Sequence, residues 1–188
     1  MTRVAAAVTM LLSVGLMSGR QAADNTFLPD DGSVIDAAVT AIALLRVNQF
    51  KQRPVEPTVF IADTSAARCA GTENQFCIDP GVEALRRRAA AEPLWPVEAV
   101  DALLKRNATR RSLAPLRLPG HALTADAVHS SQQTGRAVAQ VSLPAYTGTR
   151  AVLVLSFAYG PSASFIVLLE RRPAGWQLIA EQVYAHGG

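Results

Sequence analysis

The chain has 188 residues, with 18 Lys and Arg against 15 Asp and Glu and a formal net charge of +3. That charge is too small to supply the concentrated basic field that general nucleic-acid binding requires. The length suits one ordinary domain with a sizeable core, and no heptad run, internal repeat or second long apolar span is visible.

The first segment reads as a secretory signal. Arg3 precedes an uncharged run of 14 residues, Val4 to Met17, and small and polar residues follow. As a helix the run would be about 21 Å long, short of a hydrocarbon core of roughly 30 Å. Cleavage is expected near Ala22, giving a signal peptide over 1–22, a flexible leader over 23–32 and a single domain over 33–186. Loss of Arg3 and Arg20 would bring the net charge from +3 to +1. The protein is therefore expected to be secreted or periplasmic, and not integral to a membrane.

Ser33 is placed to cap a first helix, in which Ile35, Ala38, Ile42 and Leu45 recur at helical spacing. Pro54 and Pro57 break the chain, and the β-branched run Thr58 to Ala62 predicts one strand. Cys69 and Cys77 are the only cysteines. Two cysteines in an exported chain predict a disulfide; seven intervening residues do not match the two-residue spacing of redox pairs.

Asp79-Pro80 is a helix start, and that helix should end before Pro93. Pro96 opens another, with Val97, Val100 and Leu104 expected on one face. Thr124 would cap a short helix containing Ala125 to Ser130. From about residue 136 the period changes. AVAQVSL, RAVLVLSFAY, SFIVLLER and GWQLIAEQVY read as four strands joined by gaps too short for parallel crossovers. The two middle runs are apolar almost throughout, so both their faces should be covered, and the first and last should be edges. The expected fold is α+β, with N-terminal helices packed on a C-terminal four-stranded antiparallel meander.

Ser142-Leu-Pro144, Ala151-Val-Leu-Val, Leu168-Leu-Glu-Arg and Gly175-Trp176, with Thr58 to Thr64 and Ala102 to Asn107, resemble segments of a group of small uncharacterised exported proteins. That resemblance implies export and an α+β fold, and brings no catalytic residue. The closing Gly175-Trp176-x-Leu-x-x-Glu also resembles the last strand of NTF2-like cone domains, which would imply a curved sheet enclosing a pocket.

Few residues carry chemistry. Asp126 and His129 are three apart on the expected short helix and would share one surface. The carboxylate would then orient the imidazole as a general base, with Ser130 as nucleophile. A solvated pair accounts for the same residues, and no G-x-S-x-G, S-x-x-K or H-E-x-x-H pattern accompanies them. No metal- or cofactor-binding pattern occurs, so no metal or cofactor is expected. Arg86, Arg87, Arg88, Arg106, Arg110 and Arg111 would form an anion-binding patch if the two helices lie side by side. Phe157, Tyr159 and Trp176 would line an apolar cavity if one sheet face is open. Taken together, these residues lead to the expectation of a non-catalytic domain that binds a protein partner or a small apolar ligand. The alternatives are a hydrolase using His129, Asp126 and Ser130, and a binder of anionic surfaces.

Overall fold

A computed structural model describes residues 27–50, 59–70, 76–125, 137–158 and 163–186. In chain order these form helix α1 (Asp31–Phe50), strand β1 (Phe60–Ala62), helices α2 (Asp79–Ala91) and α3 (Ala99–Arg106), then strands β2 (Ala122–Thr124), β3 (Val138–Val141), β4 (Ala145–Thr147), β5 (Arg150–Ala158), β6 (Ala163–Arg172) and β7 (Gly175–His186).

The α+β class expected from the sequence holds, but the four-stranded antiparallel meander does not describe the sheet. Among the described residues it has seven strands and is mixed, in the order β2-β1-β3-β5-β6-β7, with β4 also paired to β5. β1 runs parallel to both β2 and β3, while β3, β5, β6 and β7 are antiparallel neighbours. Parallel pairing needs a long crossover, and α2 and α3 supply it between β1 and β2. As a result β3, expected as an edge, lies inside the sheet and β2 takes the edge position. Thr124 ends β2 rather than capping a helix.

Strand alternation divides the sheet into two buried faces. Ala151, Leu153, Leu155 and Phe157 of β5 and Phe165, Val167 and Leu169 of β6 pack with Val34, Ile35, Ala38, Val39 and Ile42 of α1. On the opposite face Val152, Val154, Ile166 and Leu168 pack with Val82 and Leu85 of α2 and Ala99, Val100 and Leu103 of α3. This explains the two unbroken apolar runs: every residue along them meets a helix or a neighbour. In α3 the buried face is Ala99, Val100 and Leu103, whereas Val97 is 60% exposed. The expected face was displaced because the helix begins at Ala99, after Val97.

Between β3 and β4 the ribbon is interrupted at Ser142-Leu143-Pro144, and side chains replace the missing ladder bonds. Ser142 donates its backbone N–H to the Val154 carbonyl, and its Oγ accepts the Val154 N–H. Asn107, fully buried, accepts the Leu143 N–H at 2.7 Å and donates to the Leu143 carbonyl at 3.0 Å and the Leu103 carbonyl at 2.9 Å. These exchanges satisfy backbone groups that would otherwise be buried unpaired.

Cys69 and Cys77 are joined as expected, with Cα atoms 5.0 Å apart. Asp79 sits beside the bridge, where its carboxylate accepts Arg68 and the Cys69 N–H. Those bonds tie the cysteine loop to the first turn of α2. Among the described residues no helix is long and apolar enough to cross a membrane.

Candidate functional site

The centre of the sheet is closed to ligands. Phe157 is 1% exposed and meets Phe165 edge-on, with centroids 6.3 Å apart. Trp176 packs at the rim against Tyr146 at 5.9 Å. These two expected pocket residues are thus used in packing, and Tyr159 lies outside the described residues.

The arginines are divided between surface and interior. Arg86 pairs with Glu83 and Arg88 with Glu92 at short helical spacings, while Arg87 and Arg110 are exposed without an ion pair among the described residues. Arg111 is half-buried, with its backbone N–H bonded to Ser65 Oγ. Arg106 points inward. It forms a forked pair with the fully buried carboxylate of Asp31, at 3.0 Å to Oδ1 and 2.7 Å to Oδ2, and also donates to the Pro144 carbonyl. The Leu28 N–H and Tyr146 hydroxyl complete the ring of donors around Asp31, at 2.8 and 2.9 Å. Burial, then the Asp31 charge and hydrogen bond, push the Tyr146 phenol far above its ordinary value, against the pull of Arg106. The stretch expected as a loose leader therefore contains a buried anchor that ties the start of α1 to α3 and β4.

His121 is a second anchor. Its ring is 1% exposed, with Nε2 at 3.1 Å from Thr40 Oγ1 and 4.0 Å from Asp36 Oδ1. Nδ1 lies 3.3 Å from the Val59 N–H group and 3.2 Å from the Val59 carbonyl. With the proton on Nδ1, the ring donates to that carbonyl and accepts from Thr40. With it on Nε2, the ring accepts the Val59 N–H and donates to Thr40. Both tautomers use both nitrogens, and the enclosed ring offers no approach for a substrate to be deprotonated. The histidine joins α1, the entry to β1 and the entry to β2. His129, Asp126 and Ser130 lie outside the described residues.

These anchors fix the two walls of a surface groove of about 670 Å³. One wall is the chain entering α1, with Phe27, Leu28 and Pro29; the other is the loop carrying Pro115, Leu116 and Pro119. Gly32 brings the walls together, since a Cβ there would lie 2.6 Å from the Arg117 carbonyl oxygen. Ser33, Asp36 and Arg117 supply polar groups at the margin. Asp36 Oδ1 already accepts the Gly120 N–H at 3.0 Å, which holds the loop against α1. Leu28 remains 43% exposed. An apolar concavity of this size with a few fixed polar groups has the make-up of a small-molecule site.

Comparison with known proteins finds no matching family model, no matching curated protein and no matching solved structure, so the geometry alone carries the functional reading.

Proposed function

We propose that the chain is a non-catalytic exported domain that binds a small apolar ligand in the groove between the entry to α1 and the Pro115–Pro119 loop. The supporting observation is that this apolar cleft is held open by buried polar anchors while the sheet itself is filled. Asp31 with Arg106 fixes one wall, and Asp36 with Gly120, above His121, fixes the other. A preformed cleft avoids the ordering cost that a mobile one would incur on binding. Export is supported by the N-terminal apolar run and by the Cys69–Cys77 bridge, which persists where thiols are oxidised.

The test is titration with anilinonaphthalene sulfonate, followed by ligand-observed NMR with small aromatic and aliphatic fragments. Leu116→Arg places a charge on one wall and Leu28→Asp on the other. Each should weaken binding about tenfold or more, the scale of losing one buried leucine contact, while far-UV circular dichroism stays unchanged. Binding that survives both substitutions in folded protein would remove the groove as the site.

A further inference from the structure

A second concavity, of about 390 Å³, lies between the outer half of α2 and the end of β7. It shares no residue with the groove and stands or falls independently of it. Its position follows from two steps in the register between β6 and β7. Leu168 pairs with Ala180 but Leu169 with Leu178, leaving Ile179 as an extra residue; Ser164 pairs with Ala185 but Phe165 with Val183, leaving Tyr184 as another. Such bulges re-aim the side chains that follow them. Before the first step Trp176 and Leu178 pack toward α1; after it Ala180 and Tyr184 pack toward α2. Gln182 and Tyr184 thereby come to face Arg87 and Arg88 across the cavity.

Three buried polar atoms meet there without a hydrogen-bond partner among the described residues: Arg88 Nε, Gln182 Oε1 and the Tyr184 hydroxyl. Most buried side-chain polar atoms in folded proteins have a partner, and each that lacks one costs free energy comparable to a lost hydrogen bond. Ser164 lies near enough to act on the phenol, but its own hydroxyl donates to Ser156 Oγ at 3.0 Å. By distance and angle the Tyr184 hydroxyl has no hydrogen-bond partner among the described residues. The Tyr184 phenol keeps its proton at neutral pH, as any tyrosine does, and can donate it; burial pushes its pKa further up, with Ser164 opposing.

The site has two donors, one acceptor and a surplus positive charge. Glu92 already balances Arg88 through Nη2 at 2.8 Å, and among the described residues neither the Arg88 Nε–H nor the Arg87 guanidinium at the margin has a partner. We propose that this pocket binds a small oxyanion that also carries a hydroxyl donor, an α-hydroxy carboxylate or monohydrogen phosphate being the minimal forms. Its charged oxygens accept the Arg88 Nε–H and the Tyr184 O–H, and its own hydroxyl donates to Gln182 Oε1. This chemistry is narrower than that of a cationic patch, because it depends on three directed bonds as well as on charge.

The test titrates the full chain with lactate, inorganic phosphate and acetate at constant ionic strength, reading the Arg88 side-chain Nε–H by NMR. Lactate and phosphate should bind saturably and move that resonance. Acetate, which lacks the hydroxyl, should bind about tenfold more weakly. Arg88→Lys, which keeps the charge and loses the Nε–H, and Tyr184→Phe should each weaken lactate binding about tenfold. Tyr184→Phe should also raise the melting midpoint of the ligand-free chain, because it deletes a buried hydroxyl with no partner. A lowered midpoint would show that the fold itself satisfies that hydroxyl, and would overturn the proposal. So would affinities that follow ligand charge alone and ignore both substitutions.

Discussion

Replacing Asp31 with asparagine takes one negative charge out of a buried polar cluster while keeping the side-chain shape. Asp31 is fully buried and Arg106 is 16% exposed at its side chain. Among the described residues the partners of the carboxylate are all donors: the Leu28 N–H, two guanidinium nitrogens and the Tyr146 hydroxyl. An amide has only one acceptor, so either orientation of Asn turns its NH2 group toward donors and leaves the guanidinium without a counterion. Breaking one partner of a buried pair costs about 3–5 kcal/mol. For a domain of this size that corresponds to a fall in Tm of roughly 6–20 °C. The double replacement Asp31→Leu with Arg106→Met removes both charges, and should cost less than the sum of the two single replacements, because the Leu28 N–H, the Tyr146 hydroxyl and the Pro144 carbonyl lose partners but no buried charge is left alone. Urea unfolding followed by circular dichroism at neutral pH measures Asp31→Asn and the double replacement, with Asp31→Leu and Arg106→Met alone as the single-variant corners of the cycle. A cost below about 1 kcal/mol for Asp31→Asn, the value of an exposed pair, would refute the argument. Single effects that simply add in the double variant would refute it equally.

Two other outcomes follow from the buried polar groups. Asn107→Ala strands the Leu143 N–H and carbonyl beside the Ser142–Pro144 interruption, and should cost about 2–4 kcal/mol by urea unfolding, with the Leu143 amide losing hydrogen-exchange protection; full protection in the variant would contradict this. Tyr146 and Tyr184 have folded-state phenol pKa values raised above the unfolded value of about 10. The native state then retains protons that the unfolded chain loses, so this contribution is intact below pH about 10 and declines above it. Phenolate absorbance from these two residues should emerge together with loss of circular dichroism, and ionisation of all tyrosines at their ordinary value in a folded chain would count against the burial.

Several features were legible because they rest on local chemistry. Asp79-Pro80 opens α2 and Pro93 lies just beyond its end, since proline tolerates a first turn and breaks a later one. The doubly apolar runs of β5 and β6 announced two covered faces. Pro173-Ala174-Gly175 marked the β6–β7 hairpin, where Gly175 takes φ 110°. The cysteine pair was legible from count and spacing. The groove was not, because Leu28 and Leu116 stand 88 positions apart in the chain and neither carries a periodic pattern.

The sequence by itself determined the class of the fold, most helix and strand cores and the cysteine bridge, all of which depend on near neighbours along the chain. Only the tertiary structure decided that Arg106 turns inward to Asp31, that His121 is enclosed by Thr40 and Val59, and that β1 joins the sheet in parallel with β2 and β3. It also decided which way the end of β7 faces. Strict alternation would align Trp176, Leu178, Ala180, Gln182 and Tyr184 on one side, whereas the extra residue at Ile179 carries the last three to the other. A bulge is a property of the register between two strands, and register is set by which partners are buried together rather than by either strand alone.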